Sequence, residues 1–171
     1  MIQYLYNEEY FRAGRKFFKD VKRNQEFVDF IKTFNPKSVL DVGCGTGTLV
    51  KLLRDNGIEA YGIDFAPILK EKYWKEHYCL YADAKKIPFE DNAFDIVVSS
   101  DFFEHIPEEE IDTVYNEMKR VGNKIIARIA FEDKLTEKQK LYHCTNKPKS
   151  WWIEKLPNII FFDYETGHWG R

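Results

Sequence analysis

Three glycines at alternate positions mark the stretch of this chain with the clearest chemical meaning. Gly43, Gly45 and Gly47 follow a short apolar run that carries one acid, Asp41, and they precede the apolar spacing of an amphipathic helix. Glycine permits positive φ angles and lets a ligand lie against bare backbone, and a helix start adds unpaired N–H groups and a positive dipole end. With Cys44 inside the turn, these residues predict a binding turn for a ligand that carries a ribose and an anionic or carboxylate group.

Two further acids come at the ends of later apolar runs. Asp64 follows the glycines by about twenty residues, the spacing at which an acid accepts hydrogen bonds from ribose hydroxyls. The alternative is an acid that caps the helix beginning at Pro67. Phe65, the next residue, is placed to cover one face of an adenine ring. Asp83 ends a third, short strand, with a plain loop acid as the alternative interpretation.

The glycine spacing separates two classes of nucleotide-binding turn. A dinucleotide turn has the form G-x-G-x-x-G, whereas here Thr48 stands where that third glycine belongs. The stretch from Asp41 to Gly47 resembles instead the D-x-G-x-G-x-G motif of class I S-adenosylmethionine (SAM)-dependent methyltransferases. The stretch 83–100, in which Ile-Pro-Phe precedes Phe-Asp and a buried apolar run, resembles the same family's pattern.

The resemblance implies one α/β domain, built on a doubly wound, mostly parallel, Rossmann-like sheet flanked by helices. It implies SAM as the cofactor and S-adenosylhomocysteine as the product, with adenine recognition by Asp83 and Ala84. We expect residues 1–37 to form a helical lid or cap, 38–130 the cofactor-binding core, and 131–171 a substrate-side loop, helix and edge strand. The family normally closes its sheet with an antiparallel strand, which must be very short or missing here, so we expect a shortened C-terminal edge.

Ligands in such sheets bind beyond the carboxyl ends of the strands. Ser100 leaves the fourth strand at that edge and is expected to contact the cofactor. A general base assists methyl transfer to a hydroxyl or amine, and the candidates are His105, His143 and Asp101. For His105 the alternative is a structural histidine that caps the following helix, and for His143 an ordinary loop histidine.

Aromatic residues at both ends of the chain are the candidates for the substrate side. Tyr4 and Tyr10 lie in an aromatic and basic segment, residues 1–24, which suits a lid over the ligand. The alternative is a helix whose aromatic side packs on the sheet while its Lys and Arg side is solvated. Trp151 is a candidate for stacking on a flat substrate or a sugar ring. Of the adjacent pair Trp151 and Trp152, one is expected to lie in the core.

The overall composition narrows the class of protein. The formal net charge of −2 gives no reason to expect nucleic acid as a partner. The start of the chain lacks the features of a signal peptide, and no run reaches membrane-spanning length. The three cysteines show neither metal-ligand spacing nor a disulfide framework, which is consistent with a reducing cytoplasm. No carboxylate cluster at metal spacing is seen, so no metal site is expected.

These features predict a cytoplasmic SAM-dependent methyltransferase that acts on a hydroxyl or amine of a small molecule, or on an exposed glycan or peptide group. Two alternatives stay open. An NAD-linked oxidoreductase shares the sheet class and the acid at the end of the second strand. A non-catalytic binding module on the same fold is the other. The identity of the acceptor and the oligomeric state are not readable from the sequence.

Overall fold

The computed structural model describes residues 21–72, 74, 78–131 and 143–163. The helices are α1 (Val21–Lys32), α2 (Thr48–Asp55), α3 (Pro67–Lys72), α4 (Ile111–Val121) and α5 (Lys149–Lys155). The strands are β1 (Ser38–Val42), β2 (Glu59–Asp64), β3 (Cys79–Tyr81), β4 (Ile96–Ser100), β5 (Ile125–Arg128) and β6 (Ile159–Phe161). Two 3₁₀ turns, Phe103–His105 and Glu108–Glu110, connect β4 to α4. No helix among these residues is long and apolar enough to cross a membrane.

The strands form one sheet in the order β3-β2-β1-β4-β5-β6, and every pairing is parallel. The chain order reverses between β1 and β4, which is the point where ligands bind in doubly wound sheets. The predicted doubly wound α/β sheet is therefore confirmed. At the far edge β6 pairs directly with β5, with Ile125 opposite Ile159. Among the described residues no antiparallel strand lies at this edge.

Alternation along the strands divides the core between the two faces of the sheet. In β1, Val39 packs in the cluster that includes Phe27 of α1 and Leu53 of α2. Its neighbour Leu40 packs in the cluster on the other face, which includes Met118 of α4 and Trp152 of α5. A strand covered by helices on both faces must be apolar at successive positions, and the apolar runs of β1 and β4 satisfy that requirement.

Several predicted elements are shorter in the structure than their sequence patterns. The third strand, expected from Tyr78 to Asp83, covers only Cys79–Tyr81. It ends early because Asp83 turns the backbone, its Oδ1 accepting a hydrogen bond from Lys85 N at 2.9 Å. The expectations for Tyr4 and Tyr10 lie outside the described residues. The division into lid, core and substrate side stays a prediction.

Candidate functional site

The glycine turn begins where β1 ends and is attached to β2 by backbone hydrogen bonds. Gly43, Gly45 and Gly47 have φ angles of 78°, 51° and 77°, which side-chain-bearing residues rarely adopt. The N–H groups of Gly43 and Cys44 both donate to Ile63 O, at 2.9 and 3.0 Å. A Cβ atom on Gly43 would come within 2.3 Å of the Phe102 ring. The tight turn therefore requires glycine at this position for space as well as for conformation.

Asp64 connects the glycine turn to the end of β2. Its Oδ2 accepts from Gly45 N at 3.0 Å, and its Oδ1 accepts from Ala66 N at 3.0 Å. Burial raises the pKa of Asp64, and the bonds from Ala66 and Gly45 oppose that shift. Each carboxylate oxygen has a second lone pair. The residue can hold the turn in shape and still accept from a ligand hydroxyl.

Asp83 lies on the same edge of the sheet as Asp64. The Ala82 N–H donates to Asp64 O at 3.0 Å, so the segment that follows β3 runs beside the end of β2. Asp83 is exposed, and Lys85 Nζ lies 3.8 Å from its Oδ2. The next residue, Ala84, is half-buried against the core. The two acids predicted to flank an adenosine are therefore on neighbouring segments.

Asp41 is a buried carboxylate in the middle of the sheet, and only 2% of its surface is exposed. Among the residues that the structure describes, its Oδ1 has no hydrogen-bond partner. Burial, and next the charge of Asp64, raise the pKa of Asp41 to about 7. A buried carboxylate oxygen at the start of the glycine turn is suited to a cationic ligand group such as an ammonium.

The side chains of Trp74 and Cys44 pack against the glycine turn. The Trp74 indole donates to Gly45 O at 3.0 Å. Cys44 is buried against Gly62, where an added Cβ would come within 2.7 Å of the sulfur. Burial raises the pKa of the Cys44 thiol well above its usual range. Cys44 thus fills space as a neutral thiol beneath the turn.

Asp101 follows β4 and has a φ of 52°, a strained conformation for a residue with a side chain. Its Oδ1 accepts from Arg23 Nη2 at 2.8 Å, and its Oδ2 accepts from Arg128 Nη2 at 3.0 Å. Arg128 Nη2 also donates to Ser100 Oγ. Burial alone would raise the pKa of Asp101, but the charges of Arg128 and Arg23 hold it below its usual value. This pairing suits a positioning group better than a proton acceptor.

Helix α1 brings Arg23 to this edge of the sheet. Phe27, one turn further along the helix, is fully buried and lies 5.1 Å from the Phe162 ring. The guanidinium of Arg128 lies 5.3 Å from the Phe27 ring. A helix anchored by Phe27 therefore presents Arg23 to Asp101. The alternative in which the Lys and Arg side of residues 1–24 is solvated does not hold for Arg23.

Glu104, His105 and His143 form a second polar group beyond β4. Glu104 is fully buried, and its Oε1 accepts from Ala130 N at 3.1 Å. Burial, and next the charge of Asp101, raise the pKa of Glu104 to about 8. The His105 and His143 ring centroids are 4.7 Å apart. Burial, and next the neighbouring His105, lower the pKa of His143 to about 4.

The remaining predicted residues lie at the borders of this region. Phe65 and Ser100 are half-buried at the ends of β2 and β4. Trp151 is half-buried, with Lys147 Nζ 5.1 Å from its ring. Trp152 is fully buried and is therefore the core member of the pair.

Sequence reasoning missed Arg23, Arg128, Glu104 and Trp74. Arg128 carried a usable signal, because a charged residue at the end of an otherwise apolar strand is placed at the ligand edge. The acid in the Glu104-His105 pair was a similar signal. The roles of Arg23 and Trp74 depend on contacts between distant segments and had no local signal.

The sequence is similar to those of known methyltransferases. A family model described as a methyltransferase domain matches residues 40–124. The chain is 37% identical over 87 residues to a demethylmenaquinone methyltransferase of Thermus thermophilus, a match covering 46% of this chain and 40% of that protein. It is 31% identical over 140 residues to an uncharacterised methyltransferase of Geobacillus, covering 75% of this chain and 61% of that protein.

The fold is also similar to that of a solved structure. A protein of Pyrococcus horikoshii superposes with a TM-score of 0.59 at 26% identity, over 67% of this chain and 61% of that one. The chain spans less than two thirds of the length of these curated relatives, 40% and 61% for the two proteins named.

Proposed function

Because the chain belongs to the class I SAM-dependent methyltransferases, we propose that it binds SAM and transfers its methyl group to a hydroxyl or amine. The observation that carries the proposal is the glycine turn, whose Gly45 N–H is held by Asp64 at the carboxyl edge of the sheet. When bound, SAM supplies an activated methyl group on a sulfonium. The protein has to orient the cofactor and the acceptor and exclude water.

The described residues fit the parts of this cofactor. The unpartnered Oδ1 of Asp41 would accept from the ammonium of the methionine end. Asp64 would accept from the ribose hydroxyls, with Asp83, Ala84 and Phe65 around the adenine. Ser100 would contact the cofactor from the end of β4. The N–H groups of the first turn of α2 would face the carboxylate.

The acceptor would lie beyond β4, where His105 and His143 are the proposed general bases. The low pKa of His143 keeps that imidazole neutral near pH 7, so one ring nitrogen can accept a hydrogen bond from the acceptor group. Asp101, paired with two arginines, would position the acceptor side of the site. Trp151 is the proposed stacking surface. The acceptor classes are a small molecule or an exposed glycan or peptide group.

Isothermal titration calorimetry with SAM and S-adenosylhomocysteine tests cofactor binding by the intact chain. Binding at micromolar concentrations is expected, and no binding at high micromolar cofactor would refute the proposal. Transfer of radiolabel from SAM to fractions of a metabolite pool then tests catalysis. Cofactor binding without transfer to any acceptor would instead favour the non-catalytic binding module.

Asp64→Ala is expected to weaken binding of S-adenosylhomocysteine by about 1–3 kcal/mol, because the ribose loses its hydrogen-bond acceptors. The variant should also lower the free energy of unfolding, since Gly45 and Ala66 lose their acceptor. Asp55→Ala is the matched control, because Asp55 is exposed on α2 and pairs with Lys51 at 2.7 Å. Calorimetry on both variants measures their affinity for S-adenosylhomocysteine. Unchanged affinity in Asp64→Ala would show that Asp64 does not bind the ribose.

The NAD-linked alternative receives no support, since the glycine spacing and the family both indicate SAM. A nicotinamide fluorescence titration would detect binding of a nicotinamide cofactor directly. All three cysteines are free, in keeping with the proposed cytoplasmic location.

A further inference from the structure

Glu104, His105 and His143 come from two separate segments that the fold brings together. Each residue offers one ligand atom, and these atoms all lie within 4.8 Å of one another. Two hydrogen bonds join the segments: Thr145 N donates to Glu104 O at 3.0 Å, and Thr145 Oγ1 donates to Ile106 O at 2.7 Å. Thr145 is itself buried. The cluster is thus held by buried backbone contacts and does not depend on surface side chains alone.

Two buried atoms of the cluster have no hydrogen-bond partner among the residues that the structure describes. Within the described part of the chain, neither Glu104 Oε2 nor His143 Nδ1 has a hydrogen-bond partner. Glu104 has no exposed surface, and a buried polar atom without a partner costs about 1–3 kcal/mol. These unpartnered atoms belong to the same side chains whose ligand atoms converge. Their convergence indicates that a bound group supplies the missing partner.

We propose that Glu104, His105 and His143 bind one divalent transition-metal ion at the acceptor side of the site. Two imidazoles and one carboxylate suit Zn²⁺, Mn²⁺, Fe²⁺ or Co²⁺, whereas Mg²⁺ and Ca²⁺ prefer oxygen ligands. Three protein ligands leave coordination positions open for a substrate. The Ala130 N–H holds the Glu104 carboxylate by its other oxygen, as outer hydrogen bonds orient metal ligands in known sites.

The charges around the cluster are compatible with a cation. Asp101 accepts from both Arg23 and Arg128, so the two guanidinium groups are directed at its carboxylate. When bound, a divalent ion would be held by the Glu104 carboxylate and would compensate its charge inside the fold.

The ion would select the acceptor, and this part rests on the proposed function. The Glu104-His105 pair follows Phe102, whose ring lies against Gly43 of the glycine turn. A divalent ion lowers the pKa of a coordinated hydroxyl. In the reaction the acceptor oxygen bonds to the methyl carbon and the carbon–sulfur bond breaks. The hydroxyl proton passes to water, because with the ion bound His105 and His143 serve as ligands and not as general bases. With three protein ligands the ion keeps open positions, and the acceptor class we assign to them is a hydroxyl compound with a second oxygen close enough to coordinate the same ion.

The test uses tag-free full-length protein that has been treated with EDTA and desalted. We expect one Co²⁺ per chain, seen as visible absorption bands, and Zn²⁺ should displace it. Glu104→Gln, His105→Ala and His143→Ala are each expected to weaken Zn²⁺ binding at least tenfold. Glu104→Gln keeps the side-chain shape and an oxygen for the Ala130 N–H while it removes the charged ligand.

Cys144→Ser is the matched control, because this exposed thiol stands next to His143 but is not one of the proposed ligands. A cysteine thiolate can bind a metal ion by itself, so the variant tests for binding outside the cluster. Its Zn²⁺ affinity should equal that of the wild type. Wild-type affinity in Glu104→Gln and His143→Ala, loss of binding in Cys144→Ser, or no binding at all would overturn the proposal.

Calorimetry with S-adenosylhomocysteine tests the proposed metal site separately from the proposed binding of SAM. The three cluster variants should bind S-adenosylhomocysteine as the wild type does, while losing Zn²⁺. Metal binding by a protein that fails to bind S-adenosylhomocysteine would refute the proposed function and leave the metal site standing. Methylation of adjacent diols that is equally fast with and without Zn²⁺ would overturn the acceptor assignment.

Discussion

Gly43→Ala is expected to lower the free energy of unfolding by about 2–6 kcal/mol and to weaken S-adenosylhomocysteine binding more than tenfold. The positive φ of 78° makes a side chain there strained by about 1–3 kcal/mol. The new methyl group would also lie 2.3 Å from a carbon of the Phe102 ring, which adds an overpacking cost of about 1–3 kcal/mol. To relieve that contact, either the glycine turn or Phe102 has to move, and both adjoin the candidate site.

Gly57→Ala separates conformational strain from the clash. Gly57 has a nearly identical φ of 80°, but an added Cβ would meet nothing within 4 Å. Urea denaturation should show a loss of about 1–3 kcal/mol for this variant, with unchanged S-adenosylhomocysteine affinity. Equal losses of stability in the two alanine variants would show that Phe102 does not restrict the turn.

A double-mutant cycle with Phe102→Ala completes this prediction. Once the ring is removed, Gly43→Ala should cost only what Gly57→Ala costs, because the clash is gone. The cycle keeps the prediction testable even if Gly43→Ala alone is too unstable to purify. A Gly43→Ala cost that is the same with and without the ring would contradict the contact.

The free energy of unfolding of the wild-type protein is expected to fall as pH rises from about 4 to 7, and Asp41→Asn should remove this fall. The unfolded carboxyl ionises near its ordinary pKa of 3.8, whereas the folded one keeps its proton until about pH 7. The folded state binds more protons in that window, so its stability falls as pH increases, by about 4 kcal/mol at most. The variant should therefore be more stable than the wild type at pH 8.

The same substitution should weaken cofactor binding. Asp41 would carry the charge that meets the ammonium, so wild-type affinity for S-adenosylhomocysteine should rise between pH 6 and 8, and this rise should disappear in Asp41→Asn. Urea denaturation and calorimetry at pH 5.5 and 8 measure both effects. Asp55→Asn, an exposed acid given the same change, is the control. Parallel pH profiles for Asp41→Asn and the wild type would contradict the assignment.

Local spacing was sufficient to predict the glycine turn and the two acids placed beside it. Gly43, Gly45 and Gly47 lie within one turn, and positive φ angles at glycine are a local property of the backbone. Asp64 ends β2, and Asp83 follows the end of the neighbouring β3 by two residues. The carboxyl ends of these parallel strands share one edge. The period of the apolar residues located the strands, with errors of one to a few residues at their ends, because side-chain bonds such as that of Asp83 decide where a strand stops.

The acceptor side depended on contacts between segments far apart in the chain. Arg23 reaches Asp101 across 78 positions, and Glu104 meets His143 only because Thr145 joins their segments. Such contacts depend on the packing of Phe27 and its neighbours, and no periodicity or spacing encodes the distance between two charged atoms. The residues of the turn therefore predicted the cofactor from sequence alone. Burial and the geometry of the packed chain decided which acid is protonated, which is ion-paired and which faces two histidines.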